Sequence, residues 1–249
     1  MSIVLTAIAL LIGVSLGLIG AGGAIVAVPA FVYLGGIDPY LADGYALFVV
    51  AVSSAVATAM QTRGNMIDWK TIAWFGPSTI LSLIFVRGFL EHLVPQLVQM
   101  LLFGLILMLA SAAMLCKKPQ KHGEQRNQPV LLSMFGIVVG AVGGLLGVGG
   151  GFLMTPALNL WAGLDMKRAV ASSLVLLAVN SAAGVAVDLI KHKPYDWAFL
   201  AMFTMLTIAG IVAGTILSRR VDGNFLRSIF GWVVLAIGLV VFGNVLHVF

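Results

Sequence analysis

The sequence predicts an all-α polytopic membrane protein that consists of two inverted repeats. Of its 249 residues, 61% are hydrophobic and only 9% are charged, whereas a soluble domain carries roughly 25% charged residues. Apolar runs of about 20 residues recur along the chain, and a helix of that length crosses the roughly 30 Å of hydrocarbon in a bilayer. The strands of a membrane β-barrel would instead alternate apolar and polar residues in segments of about 10. In addition, a glycine-rich motif occurs once in each half of the chain.

Apolar segments alternate with short polar ones along the chain. The apolar segments cover residues 3–34, 40–61, 69–90, 93–116, 130–162, 168–190, 195–218 and 224–248. Residues 117–129, KKPQKHGEQRNQP, are rich in charge and contain two prolines, which indicates a linker. We therefore expect a first membrane repeat at residues 1–116, a cytoplasmic linker at 117–129 and a second membrane repeat at 130–249. The two repeats would form one integrated domain.

The two halves share more than one motif. The stretch GLIGAGGAIVAVPA at residues 17–30 returns as GLLGVGGGFLMTPA at residues 144–157, an offset of 127 residues. At the same offset AVSSA, residues 51–55, aligns with AVNSA, residues 178–182, and the Phe-Gly pair at 103–104 aligns with that at 230–231. An Asp-Trp pair at 68–69 returns at 196–197 with one residue inserted. These matches predict an internal duplication, which is a common architecture of transporters.

The length of the first apolar segment raises the question of how it lies in the membrane. Its 32 residues would extend roughly 48 Å as one straight helix, which is too long for a single crossing. Its glycines allow either a broken helix that crosses once or a re-entrant hairpin. Lys and Arg concentrate in cytoplasmic loops, so their distribution discriminates between the two. Single crossings put eight of them on one side and six on the other, whereas hairpins put eleven inside and three, Arg87, Lys191 and Lys193, outside.

This charge distribution favours the hairpins. Each repeat is then a glycine-broken, re-entrant helical hairpin followed by three transmembrane helices, and the two halves are inverted. The linker would be cytoplasmic and both termini would lie outside. The first apolar segment has no positive residue before it, so we expect it to be retained rather than cleaved as a signal peptide.

The repeated glycines suggest a binding site in this topology. Glycine permits a sharp reversal and a close approach to the backbone, and irregular backbone at membrane depth must be buried or line a polar cavity. We expect helices to restart after Gly23 and Gly150, with unpaired N–H groups and the positive end of a dipole, and to meet near the midplane as a site for a small anion. The expected binding residues are Gly20, Gly22, Gly23, Gly147, Gly149, Gly150 and Gly151. Alanine at position 23 or 150 should then abolish anion binding and leave thermal stability nearly unchanged.

Glycine clusters also occur where membrane helices pack closely against each other. The sequence alone leaves this use of the two clusters open beside the anion site. A dinucleotide-binding loop is not supported, because the motif lies in an apolar run without a strand–turn–helix pattern.

Polar side chains near the middle of two apolar segments complete the predicted site. Ser53 and Ser54 in the first half correspond to Asn180 and Ser181 in the second. Such groups suit hydrogen bonds to an oxyanion, but they also serve as hydrogen-bonding links between helices, worth about 0.6 kcal/mol on average. Three charged residues, Arg87, Asp43 and Asp188, fall near segment ends, where snorkelling or placement at the interface explains them.

Several functional classes find no support in the sequence. The net charge of +5 comes from short segments between apolar runs, so membrane orientation explains it better than nucleic-acid binding. Cys116 is the only cysteine, which leaves no intrachain disulfide and no cysteine metal motif. No Ser/His/Asp or paired-carboxylate pattern emerges. We therefore predict no catalytic residue, no metal site and no cofactor.

The duplicated G-x-x-G-x-G-G…P motif, the basic central linker and the size resemble the TauE/SafE family of sulfite and organosulfonate transporters, in the 4-toluene sulfonate uptake permease superfamily. The resemblance implies a multi-pass carrier in a bacterial or archaeal inner membrane, not an enzyme. It implies a small sulfur-containing anion as substrate, sulfite or an organosulfonate such as sulfoacetate, most often in export. Alternating access between the inverted halves is the expected mechanism.

The partners expected from this resemblance are a small anion and the lipid bilayer, with no nucleic acid. A coupling proton and a homodimer are both compatible with it. An anion channel, or an importer of another small anion such as thiosulfate or sulfate, stays open as an alternative. A membrane-embedded enzyme or assembly factor would need a reactive constellation of side chains, and the sequence offers none.

Overall fold

The computed structural model describes residues 3–62, 66–90, 93–116, 129–146, 150–192 and 194–247. Every regular element within these ranges is helical. The α-helices are α1 (Ile3–Ile19), α2 (Ala27–Pro29), α3 (Pro39–Thr62), α4 (Trp69–Phe85), α5 (Gln96–Cys116), α6 (Pro129–Leu146), α7 (Gly151–Leu160), α8 (Met166–Ile190), α9 (Trp197–Arg220) and α10 (Gly223–His247). A 3₁₀-helix covers Gly20–Val26, and π-helical turns cover Ala30–Leu34 and Val86–Leu90.

Six of the described helices are long and apolar enough to cross a membrane. They span Tyr40–Thr62, Trp69–Leu90, Leu97–Cys116, Met166–Ile190, Trp197–Ser218 and Gly223–Gly243. Shorter apolar helices cover Val4–Ile19, Ala24–Leu34 and Pro129–Leu145. The predicted all-α polytopic membrane fold is confirmed. Each half of the sequence contributes three long helices that follow a group of short ones.

The main helix pairings join one half of the sequence to the other. Helix α1 packs against α9, and α6 packs against α4. At the repeat offset α1 corresponds to α6 and α4 to α9, so these two pairings are counterparts. Helix α3 packs against α8 and α5 against α10, and each of these pairings joins an element to its own counterpart. The two halves therefore share one hydrophobic core rather than two separate ones.

Glycines allow some of these helices to pack closely. A Cβ at Gly17 would lie 2.5 Å from the Ile211 carbonyl oxygen of α9, and a Cβ at Gly144 would lie 2.9 Å from the Leu83 carbonyl oxygen of α4. Both distances are far below van der Waals contact, so only glycine fits without a shift of the backbone. The first glycine of each motif copy thus serves helix packing, the use that membrane helices commonly make of small residues.

The helices break at the motif, but the two breaks differ. Helix α1 ends at Ile19, and Gly20 has φ +72°. In the second half Gly150, with φ +69°, is the N-cap of α7, which begins at Gly151 as expected. The helix expected after Gly23 is present as the apolar helical segment Ala24–Leu34, but its first turn belongs to the 3₁₀-helix Gly20–Val26 and α geometry begins only at Ala27. Ala24 and Ile25 of this 3₁₀-helix and Ala27 directly after it are fully buried.

Candidate functional site

Helices α3 and α8 lie side by side at the centre of the shared core. A Cβ at Gly184 would lie 2.9 Å from Leu47 Cδ1, and a Cβ at Gly44 would lie 2.9 Å from Asp188 Oδ2. Higher residue numbers on α3 therefore match lower numbers on α8, and the two helices are antiparallel. Continuing this register from Leu47 brings Ser53 level with residue 178, within about one turn of Asn180.

The four predicted polar residues of these helices are all completely buried. Ser53, Ser54, Asn180 and Ser181 each have 0% exposed surface. The Oγ atoms of the three serines and the Nδ2 atom of Asn180 have no hydrogen-bond partner among the described residues. The Asn180 Oδ1 atom accepts a hydrogen bond from Thr79 Oγ1 of α4 at 3.4 Å, which leaves its amide group as a donor.

Unpartnered groups of this kind are unusual in a folded protein. A buried polar group without a partner costs about 1–3 kcal/mol, and most buried polar side chains do find a partner. A side chain links two helices only if it makes a hydrogen bond between them. Of the four predicted residues, only Asn180 makes such a bond among the described residues. Thr58, one turn beyond Ser54, also has an unpartnered Oγ1 in the described part of the chain. Thr58 was not among the predicted site residues, although its i+4 spacing from Ser54 was the available signal.

The glycines of the motif occupy different environments. Gly20 packs against α8, where its Cβ would lie 2.9 Å from Ser173 Oγ, and that hydroxyl accepts a hydrogen bond from Thr155 Oγ1 of α7 at 2.9 Å. Gly22 and Gly23 lie within the 3₁₀-helix. The 3₁₀-helix also contacts α7 directly, so the two broken segments do pack against each other.

The second motif copy is only partly described. Gly150 packs on α6, where its Cβ would lie 2.6 Å from the Val139 carbonyl oxygen, and Gly151 is buried at the start of α7. Gly147 and Gly149 lie outside the described residues.

Not all predicted site residues are brought into direct contact. Gly20 touches α8 at Val170 and Ser173, and Ser173 precedes Asn180 by two helical turns, or roughly 10 Å. The first glycine break therefore lies beside the early turns of α8 rather than at its middle. This position agrees with the length of α1, whose 17 residues extend about 25 Å.

A buried cluster of charged residues joins α3, α4 and α8 at one end. Arg87 is 1% exposed. Its guanidinium donates two hydrogen bonds to Asp188, from Nε to Oδ1 at 3.0 Å and from Nη2 to Oδ2 at 2.6 Å. The same Nη2 donates to Asp43 Oδ2 at 3.0 Å. Lys191 Nζ donates to the Arg87 carbonyl oxygen at 2.6 Å. The expectation that these charges snorkel to the interface is wrong for Arg87 and Asp188, because both are buried against each other instead of reaching water.

Tyr195 extends this cluster from the connection between α8 and α9. Its hydroxyl donates to Asp188 Oδ2 at 3.0 Å. Burial, together with the nearby Asp188 carboxylate, raises the pKa of the Tyr195 phenol. The phenol therefore stays protonated and keeps its role as a donor to the carboxylate. Nothing in the local sequence indicates the ion pair, since Arg87 and Asp188 are 101 residues apart.

Counterpart hydrogen bonds connect the Asp-Trp pairs to the central helices. The Asp68 backbone N–H donates to Ser172 Oγ at 2.9 Å, and the Asp196 backbone N–H donates to Tyr45 OH at 2.8 Å. Tyr45 and Ser172 are related by the repeat offset of 127 residues. Each Asp-Trp pair is thus fixed by a hydroxyl group from the other half of the sequence.

Comparison with known proteins assigns the chain to a family. The family model described as "Sulfite exporter TauE/SafE" matches residues 5–241. The chain belongs to the TauE/SafE family. A probable membrane transporter protein of Xylella fastidiosa is 32% identical over 247 residues, which cover 93% of this chain and 91% of that protein. The probable membrane transporter protein YunE of Bacillus subtilis is 26% identical over 261 residues, 95% of each chain.

A plant protein is similar over a shorter stretch. Sulfite exporter TauE/SafE family protein 3 of Arabidopsis thaliana is 35% identical over 98 residues, 38% of this chain and 20% of that protein. No solved structure matches the chain.

Membership of the TauE/SafE family confirms the resemblance that the glycine motif suggested. The family and its bacterial members are membrane transporters rather than enzymes. Six apolar helices of spanning length make this TauE/SafE member a multi-pass protein of the inner membrane. Its transport role implies a small-molecule substrate and a surrounding lipid bilayer. Within the described residues, no group of three or more His, Cys, Asp or Glu side chains is arranged to hold a metal ion.

Proposed function

We propose that this TauE/SafE member is a secondary transporter that moves a small sulfur-containing anion across the inner membrane by alternating access. The substrate is sulfite or an organosulfonate such as sulfoacetate, and the direction is export. The family description names sulfite export. The chemistry of the central helices is compatible with an oxyanion, because hydroxyl and amide donors bind oxygen-bearing anions.

The observation that carries the proposal is the set of buried donors without partners. Ser53 Oγ, Ser54 Oγ, Asn180 Nδ2 and Ser181 Oγ occupy related positions on α3 and α8, and none has a partner in the part of the protein that the structure describes. An oxyanion would supply the missing acceptors. Hydrogen bonds to a charged group contribute about 1.5–3 kcal/mol each, which exceeds the value of an ordinary helix-to-helix link.

We propose that the two halves, residues 1–116 and 130–249, are inserted in opposite orientations and form a single transport domain. The contact between Lys191 and Arg87 supports this topology. If each broken segment crossed the membrane once, Arg87 and Lys191 would lie on opposite sides. With re-entrant hairpins both lie outside. The hydrogen bonds from Asp68 to Ser172 and from Asp196 to Tyr45 support the same choice, because only hairpins place each of these pairs at one end of the molecule.

In this mechanism the two broken segments and the central helices hold the anion while the halves move. Backbone N–H groups at the glycine breaks, including those of Gly147 and Gly149, would add donors to the side chains of α3 and α8. The ion pairs of Arg87 tie the ends of α3, α4 and α8 together. Opening the outer end would require these ion pairs to separate or to move as a unit.

A flux assay in proteoliposomes tests the proposed function. Uptake of sulfite, sulfoacetate, sulfate and thiosulfate is measured with and without a proton gradient, with protein-free liposomes as the control. We expect saturable flux and counterflow for sulfite or a sulfonate. Comparing the flux with and without the proton gradient tests whether transport is coupled to a proton. The mass of the purified protein in detergent separately tests whether it forms a homodimer.

The remaining outcomes of this assay identify the alternatives. Flux that does not saturate and shows no counterflow indicates an anion channel. Preference for thiosulfate or sulfate indicates an importer of another small anion. If none of the four anions moves faster than in protein-free liposomes, the proposal of a sulfur-anion transporter is wrong.

A further inference from the structure

The interior of every substrate-facing segment is free of charge. The sequence has no Asp, Glu, Lys or Arg in residues 17–30, 45–60, 144–157 or 172–187. These ranges contain both glycine breaks and the four buried polar residues. Whatever crosses the middle of the membrane therefore meets only neutral groups there.

The charged residues that are buried lie at the helix ends and already have partners. Among the described residues, the buried basic side chains are Arg87 and Arg227. Arg87 is paired with two carboxylates, and Arg227 Nε donates to the Met114 carbonyl oxygen at 2.9 Å. Neither guanidinium is placed to neutralise an anion beside Ser53 or Asn180.

The donors at mid-depth are few. On α3 and α8 the described donors without partners are the hydroxyls of Ser53, Ser54, Thr58 and Ser181 and the amide of Asn180, and α9 adds the hydroxyls of Thr204 and Thr215. The oxygen of that amide faces Thr79 Oγ1 at 3.4 Å, and this hydroxyl makes its shorter hydrogen bond, 2.7 Å, to the Gly76 carbonyl oxygen. The NH₂ group of Asn180 is the part left to bind an anion. Uncharged donors suit one negative charge better than two. The Born cost of removing an ion from water rises with the square of its charge, so a dianion costs roughly four times as much as a monoanion of equal size.

We propose that this transporter carries its substrate across the midplane as a singly charged anion and discriminates against dianions. The inference rests on the proposed function and narrows its substrate class. It favours hydrogensulfite over the sulfite dianion, and a simple alkanesulfonate over sulfate. Sulfoacetate, whose carboxylate adds a second charge, would be a poorer substrate than methanesulfonate.

The same observation bears on the coupling proton. The titratable groups packed near α3 and α8 lie towards their ends. One end has Asp43, Tyr45, Arg87, Asp188, Lys191, Tyr195 and Asp196, and the other has Asp68, Asp165, Lys167 and Arg168. No carboxylate or histidine occurs in the four central ranges. A proton that crosses with sulfite would therefore travel on the substrate itself, as hydrogensulfite.

The test uses the wild-type protein in proteoliposomes and three probes of defined charge. Methanesulfonate is a monoanion and sulfate a dianion at all pH values used, whereas sulfite exchanges a proton near neutral pH. We expect methanesulfonate flux to stay constant from about pH 6 to about pH 8, and sulfite flux to fall with the hydrogensulfite fraction, by about tenfold per pH unit once the dianion dominates. A large excess of sulfate should not inhibit either flux.

An isosteric variant provides an independent arm. Asn180→Asp keeps the shape of the side chain but replaces its amide donor with a carboxylate. It should abolish methanesulfonate flux, whereas Asn180→Ala should only weaken it. The thermal stability of each variant is measured in parallel, so that a loss of flux caused by misfolding is not mistaken for a loss of substrate binding.

The failure of this inference differs from the failure of the proposed function. Sulfate that inhibits as well as methanesulfonate, or sulfite flux that rises with the dianion fraction, would overturn the preference for one charge while leaving sulfur-anion transport intact. If neither sulfite nor any sulfonate moves, the proposed function itself is wrong.

Discussion

Among the described residues, α3 and α8 hold most of the buried hydroxyl and amide groups without partners, and Thr204 and Thr215 of α9 hold the others. Ser111 of α5, by comparison, is equally buried, but its Oγ donates to the Gly231 carbonyl oxygen at 2.8 Å. A hydroxyl with a partner stabilises the fold, whereas one without a partner costs stability. Residues such as Ser54 and Asn180 therefore have an energetic reason to be retained only if something else binds them.

The first prediction separates binding from packing at these residues. Ser54→Ala and Asn180→Ala should weaken sulfite or sulfonate binding by about 1.5–3 kcal/mol, roughly a 10- to 100-fold rise in Kd. Thermal stability without ligand should stay unchanged or rise in Ser54→Ala, because an unpartnered buried group is removed, whereas Asn180→Ala also removes the acceptor of the Thr79 hydroxyl and should lose a little stability. The control Ser111→Ala should show the reverse, lower stability and unchanged Kd. Lower stability with unchanged Kd in Ser54→Ala and Asn180→Ala would assign these side chains to packing.

The second prediction concerns the backbone at Gly150. This residue has φ +69°, and a Cβ would lie 2.6 Å from the Val139 carbonyl oxygen. Gly150→Ala should therefore lower thermal stability strongly, which corrects the expectation from sequence that it would leave stability nearly unchanged. Gly36 is the matched control, because its φ is +62° but nothing lies within 4 Å of its Cβ position.

The control isolates the steric contribution. Gly36→Ala should cost only the backbone strain of a left-handed residue, about 1–2 kcal/mol, and Gly150→Ala should cost clearly more. The measurement is thermal unfolding of the two purified variants in detergent. Equal losses of stability would mean that the close approach of Gly150 to α6 does not matter.

At the scale of single residues, the sequence was a good guide to position and a poor guide to contacts. The repeat offset and the apolar surroundings correctly placed Ser53, Ser54, Asn180 and Ser181 in the buried middle of two helices. Whether a buried polar side chain has a hydrogen-bond partner depends on neighbours that are distant in the sequence, such as Thr79 for Asn180. No local pattern records those neighbours.

At the scale of elements, the ends of three helices depend on one arginine. Arg87 lies in the π-helical turn after α4 and binds carboxylates on α3 and α8. Proximity to a segment end suggested an exposed charge, because local sequence cannot show two carboxylates that approach from other helices. The same limit applies to the first glycine break, where the packing of Ala24 and Ile25 accompanies a 3₁₀-helix that periodicity does not predict.

The third prediction tests this ion-pair cluster. Arg87→Met leaves the buried Asp188 carboxylate without its cation, and loss of one partner from a buried pair typically costs about 3–5 kcal/mol. We expect a large fall in the thermal unfolding temperature. The double variant Arg87→Met/Asp188→Leu should regain part of that loss, because no unpaired charge remains at position 188. Lys70→Met, at an exposed position, is the control and should change stability little.

The reverse result would change the interpretation of the cluster. If the double variant is less stable than Arg87→Met alone, Asp188 has a stabilising partner other than Arg87. Tyr195, whose hydroxyl donates to Asp188, would then be the first residue to examine.

At the scale of the whole molecule, length and composition were sufficient for the fold class. The six long helices and the short helices around the motif copies lie where the apolar segments predicted them. The pairing of α1 with α9 and of α4 with α6 was not predictable, because hydrophobic helices in lipid carry no signal in their sequence for a particular partner beyond small residues. The orientation of the two halves stays a prediction from the charge distribution and the end-to-end contacts.

The opposite orientation of the halves is the central claim, since the paired breaks and alternating access both depend on it. Thiol labelling of single cysteines tests it in intact cells and inverted membranes. Cys116, the only native cysteine, is first replaced by serine, and Gln120→Cys and Lys193→Cys are then introduced separately. We predict that Gln120→Cys is labelled only from the cytoplasmic side and Lys193→Cys only from the outside. Labelling of both positions from the same side would contradict the account.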